Sequence, residues 1–130
     1  MIVVDDNNVR CFKAEILLTA QLRHSCIVNF IGACWSKELT CLVLEWVEKG
    51  SLADLLDDVT VQLFWSDPGP LLRLATHIGK GMEYLHAKNI LHRDLKPENV
   101  LVTTFLSAKI TVRGCCVALL YAKVISFLIK

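Results

Sequence analysis

Apolar residues recur at helical spacing in two stretches of the chain and as short aliphatic runs in four others, and these two periods sketch the elements. Over residues 9–23, Phe12, Ile16, Thr19 and Leu22 fall on one stripe, while Arg10, Lys13, Gln21 and Arg23 lie mostly off it, which predicts a helix. Residues 27–35 and 39–47 are aliphatic runs separated by Ser36, Lys37 and Glu38, the pattern of two strands in a hairpin. Ser51 is a good N-cap for a short helix over Leu52, Leu55 and Leu56. Residues 66–70 read Ser-Asp-Pro-Gly-Pro and predict a loop, because two prolines and a glycine remove donors and favour turns. Beyond it Leu71, Leu74, Ala75, Ile78, Met82 and Leu85 recur at three and four, predicting a long amphipathic helix with Arg73, Lys80, Glu83 and Lys88 toward water. Gly79 and Gly81 lower its propensity and point to close packing. Short strands are expected at 90–91 and 100–102, on either side of a charged turn.

Composition narrows the class. The 130 residues are enough for one domain, and 54% of them are hydrophobic, which excludes wholesale disorder. A formal net charge of +1 supplies no overall field to recruit nucleic acid or an anionic membrane, so neither is an expected partner. Six cysteines form no C-x-x-C and the four histidines fall in no ligand spacing near them, so free thiols in a reducing compartment are expected. Met1 is followed by a short apolar triplet and then acidic and amide residues, which predicts a cytoplasmic protein without a secretory signal. The greasiness is uneven. After Glu98 the only charged residues are Lys109, Arg113, Lys123 and Lys130, and from Cys115 onward the chain is nearly all apolar. That run is shorter than the roughly 20 residues a spanning helix needs and is broken by Lys123, so membrane insertion is not expected.

The charged turn carries the candidate chemistry. His92-Arg93-Asp94-Leu95-Lys96-Pro97-Glu98-Asn99 places a carboxylate, an ammonium and an amide in one loop between aliphatic flanks. Such a set suits removal of a hydroxyl proton by Asp94, charge neutralisation by Lys96 and cation binding by Asn99, although a solvated surface turn would hold the same residue types. Extended through Val100-Leu101-Val102, the string resembles the catalytic loop of eukaryotic protein kinases, with its H-R-D-x-x-x-x-N spacing. Lys96 resembles the serine/threonine type. The resemblance covers about residues 9–111: Phe12-Lys13-Ala14-Glu15 looks like helix C of that family, and Leu42 to Leu52 looks like the segment through the hinge between its two lobes. Phe30-Ile31-Gly32-Ala33-Cys34 and Glu48-Lys49-Gly50-Ser51-Leu52 are similar to the tyrosine-kinase-like group.

The resemblance implies an α+β fold, part of a two-lobed kinase domain over residues 1–111, and ATP-dependent phosphoryl transfer to serine or threonine of a protein substrate that the sequence does not identify. It implies Glu15 as the helix C acid, Leu44 at the gatekeeper position, Glu45 and Val47 at the adenine edge, and Leu101 beneath the adenine ring. Plain core packing would account for Leu44, Val47 and Leu101 equally well. Asp94 would orient or deprotonate the substrate hydroxyl, Lys96 would neutralise the transferring phosphoryl, and Asn99 would hold a magnesium ion. His92 reads as a packed core histidine.

The pattern also departs from the family. The sequence contains no G-x-G-x-x-G loop and no V-A-I-K lysine for Glu15 to pair with, and Val112-Arg113-Gly114 stands where D-F-G would follow Ala108-Lys109-Ile110-Thr111. Valine cannot ligate magnesium, so the chain alone is expected to be inactive, acting at most as a binding module. Residues 112–130 read as a hydrophobic tail unlike a kinase: a replacement for missing core, an anchor, or the translation of an unspliced intron beginning at the Val112 codon. Helix faces without their usual neighbours are expected to be exposed and prone to self-association.

Overall fold

A computed structural model describes residues 6–35, 40–58 and 66–112. Helix α1 (Asp6–Thr19) leads into an antiparallel hairpin of β1 (Phe30–Trp35) and β2 (Thr40–Leu44). Then come the short helix α2 (Leu52–Asp57), the long helix α3 (Pro68–Ala87), a single 3₁₀ turn (Pro97–Asn99), and a second antiparallel hairpin of β3 (Val100–Val102) and β4 (Ala108–Ile110). The result is the expected α+β architecture, although the elements end in different places.

Helix α1 stops at Thr19, not at residue 23. The Thr19 hydroxyl donates to the Glu15 carbonyl at 2.7 Å, and the chain continues in tighter turns, with Gln21 N–H to Leu18 O and Leu22 N–H to Thr19 O. These turns preserve the three-residue spacing, so Leu22 reaches the core without belonging to the helix. The first hairpin is shorter than its aliphatic runs for a similar reason. Residues 26–28 pair with β4 instead of β2, through Ile110 N–H to Cys26 O and Val28 N–H to Ile110 O, and Ile27 bridges Ile110 in parallel. The connection at 36–39 lies outside the described residues.

Helix α2 carries the expected cap: Ser51 Oγ accepts the Asp54 N–H, and the Asp54 carboxylate accepts the Ser51 N–H. Helix α3 begins inside the expected loop. Asp67 caps it by accepting the Gly69 N–H at 3.0 Å, and Pro68 and Pro70 occupy the first turn, where a missing N–H costs nothing. At its other end Asn89 adopts φ +58°, its N–H reaches His86 O, and Ile90 N–H reaches Leu85 O. This left-handed cap turns Ile90 back onto Leu85, so residues 90–91 form a helix terminus and not a strand.

Two apolar clusters hold the elements together. Leu18, Leu22, Ile27, Leu85, Ile90, Ile110 and Val112 form one, and Leu55, Leu74, Val100, Val102 and Ala108 form the other, with Ile78 of α3 touching both. The β3–β4 hairpin is the hub. Residues 26–28 line one of its edges, and the chain leaving β2 lines the other through Lys49 N–H to Val102 O and Val102 N–H to Gly50 O. No described helix is long and apolar enough to cross a membrane.

Candidate active site

The turn before β3 is anchored at both ends. His92 is 3% exposed and its Nε2 lies 2.8 Å from the Thr111 carbonyl; a carbonyl only accepts, so Nε2 is the donor, while Nδ1 is buried without a hydrogen-bond partner. Arg93 then takes φ +62°, a left-handed conformation costing a non-glycine residue about 1 kcal/mol. That reversal separates the buried imidazole from the half-exposed carboxylate of Asp94.

Asp94, Lys96 and Asn99 converge. Asn99 Nδ2 donates to the Asp94 carbonyl at 2.8 Å and to its Oδ2 at 2.9 Å, and Lys96 Nζ stands 3.4 Å from the same Oδ2. Asp94 and Lys96 are about half exposed, so their attraction is screened and serves position more than stability. The far end of the loop is tied to the hub: Thr111 donates to the Asn99 carbonyl through both its N–H, at 2.9 Å, and its hydroxyl, at 3.1 Å. The arrangement presents a carboxylate beside an ammonium at solvent, fixed from below by a buried histidine and threonine.

The other sequence-marked residues gather where β2 meets the hub. Half-buried Leu44 is paired opposite Phe30. Glu45 follows, and its backbone and side chain both act as struts: Glu45 N–H donates to Asn29 O at 2.9 Å, while Oε1 accepts the Asn29 N–H at 2.8 Å and the Lys109 ammonium at 2.6 Å. Val47 is buried, with its carbonyl accepting the Gly50 N–H in a turn that needs the positive φ of Gly50. Leu101 sits in β3 opposite Lys109 and bridges Ser51, so β3 connects this strip to Asn99. Glu15 is half-buried on α1 and is engaged in an interaction, so it is no free carboxylate. Sequence reasoning passed over Asn29, Lys109 and Thr111. A lone cation between Ala108 and Ile110 in a buried strand was the available signal, since such a charge requires a partner.

Burial raises the Glu45 carboxyl, and the Lys109 and Asn29 hydrogen bonds outweigh it, leaving the group below its ordinary 4.5. Because the folded value is the lower one, the stabilisation is complete above pH 4.5 and is lost as pH falls through the folded value. Lys109→Met should therefore cost about 1 kcal/mol at neutral pH and flatten the acid limb of the unfolding profile below pH 4.5, as read by circular dichroism. An unchanged acid limb would show that the strut carries no stability.

A hard dication takes oxygen ligands: the Asn99 amide nitrogen is spent on Asp94, which leaves its Oδ1 as the atom that could face a magnesium ion, whereas the residue after Thr111 is Val112, which is 4% exposed, packed with Leu18, Leu22 and Ile110, and has no side-chain oxygen to offer. Among the described residues no group of three or more histidine, cysteine or acidic side chains could hold a metal.

Comparison with known proteins gives the family. The family model for protein tyrosine and serine/threonine kinases matches residues 3–123. The chain is 40% identical over 100 residues to the probable serine/threonine-protein kinase drkD of Dictyostelium discoideum, a match covering 75% of this chain and 8% of that protein. It is 36% identical over 99 residues to the serine/threonine/tyrosine-protein kinase HT1 of Arabidopsis thaliana, covering 76% and 25% respectively. It thus spans a quarter or less of each of these relatives. With the family model matched over most of its length and relatives 36–40% identical over about three quarters of it, the chain belongs to the protein tyrosine and serine/threonine kinase family.

Proposed function

We propose that this polypeptide carries the hydroxyl-orienting part of a serine/threonine-type kinase domain and does not itself transfer phosphate. The Asp94–Lys96–Asn99 constellation supports the first half: in the family reading, Asp94 accepts or aligns the proton of a serine or threonine hydroxyl and Lys96 faces the incoming phosphoryl. Leu44, Glu45, Val47 and Leu101 would face the adenine of ATP, Glu45 through its carbonyl, since its side chain is committed to Lys109 and its N–H to the Asn29 carbonyl.

The observation that carries the second half is Val112. Its alkyl side chain belongs to the apolar cluster, at the position where the family sequence supplies a magnesium carboxylate. Without that charge the barrier to phosphoryl transfer rises by several kcal/mol. The purified chain, given radiolabelled ATP and a generic serine/threonine substrate protein, should give no transfer above that of Asp94→Asn. Turnover that Asp94→Asn abolishes would overturn the proposal and establish an active kinase.

A further inference from the structure

Cys34 and Cys41 are direct cross-strand partners in the β1–β2 ladder, both half-buried and both free thiols. Residues facing each other across an antiparallel pair have Cα atoms about 4.5–5.5 Å apart, inside the range of about 4.4–6.8 Å that a disulfide spans. Opposed residues also project from the same face of the sheet, so bridging them requires side-chain rotation and no change of register. Cys26, by contrast, is buried in the neighbouring segment and has Ser25 Oγ at 3.8 Å.

We infer that Cys34 and Cys41 form a reversible cross-strand disulfide on exposure to a peroxide, a redox clip on the hairpin that leads into Leu44 and Glu45. One thiolate attacks the peroxide O–O bond, giving a sulfenic acid and releasing water after protonation. The second thiol then displaces the sulfenic hydroxyl as a second water, so two thiols and one hydrogen peroxide become one disulfide and two waters. A dithiol reductant returns the pair to thiols by exchange, consistent with a reducing compartment at rest. The closed loop is short and its ends are already paired by the ladder, so the clip fixes an existing geometry and imposes no new one. The inference rests on the hairpin alone and stands whether or not the chain transfers phosphate.

Trypsin tests it directly, because Lys37 lies between the two cysteines. Equimolar hydrogen peroxide followed by thiol blocking and digestion should yield a linked pair of peptides, residues 24–37 joined to 38–49. That species should persist in Cys26→Ser, vanish in Cys34→Ser and in Cys41→Ser, and disappear after dithiothreitol. Oxidised wild-type protein should also melt at a higher temperature than reduced protein, a difference that Cys41→Ser removes. Peroxide applied in urea should scatter the pairings over all six cysteines, which separates native juxtaposition from mere reactivity. Absence of the linked pair, its survival in Cys34→Ser, or an equal yield in urea would each overturn the proposal.

Discussion

Gly81→Val is expected to destabilise the fold by about 3 kcal/mol or more, because it forces a branched side chain into a contact that has no room for a single methyl. A Cβ at position 81 would lie 2.8 Å from Ile110 Cδ1 and 3.0 Å from the backbone oxygen of Cys26. The isoleucine terminus belongs to a fully buried side chain, and the Cys26 carbonyl is held by the Ile110 N–H, so neither moves freely. This glycine is what lets α3 approach β4 and the 26–28 segment at once. Gly79, only two residues away, meets nothing within 4 Å. Gly79→Ala should therefore stabilise by about 0.5–1 kcal/mol through helix propensity and the unfolded-state entropy. Urea midpoints for the two variants should move in opposite directions, and a Gly81→Val protein as stable as the parent would contradict the close packing.

The two glycines also mark how far the sequence could be read. Both looked like packing sites from the pattern alone, yet only Gly81 faces another element, because facing depends on where β4 docks and not on helical spacing. The same limit explains the other differences. Leu22 kept the helical period although the backbone had left the helix. Pro68 and Pro70 looked like a loop because their missing N–H groups matter everywhere except in the first turn that Asp67 caps. Asn89 and Ile90 formed a cap whose signature is a dihedral, which residue types record only weakly. What survived best was local chemistry in a short window. The Ser51–Asp54 cap and the 92–99 loop each place their partners within a few residues, so spacing alone determines that they meet. The supports of that loop come from residues far along the chain, Thr111 to Asn99 and Lys109 to Glu45, and no period announces them.

Ile110→Ala is the second large effect, expected at about 2–5 kcal/mol from lost burial plus the cavity left behind. Ile110 is fully buried, pairs with Val100, and exchanges both of its backbone hydrogen bonds with the 26–28 segment. Its neighbour Thr111 holds the Asn99 carbonyl and meets His92, so loosening β4 loosens the floor of the 92–99 loop. Hydrogen exchange at the Thr111 amide should accelerate in Ile110→Ala along with global unfolding, while Ile110→Val, costing about 0.5–1.5 kcal/mol, should leave most of that protection in place. The conservative variant also removes Cδ1, the atom closest to position 81. Gly81→Ala should consequently be less destabilising in the Ile110→Val background than alone, with the Cys26 oxygen accounting for the remainder. A double-mutant cycle measures that coupling. Strict additivity of the two substitutions would mean that α3 and β4 do not touch at this point, and the route from helix packing to Asn99 would then have to run elsewhere.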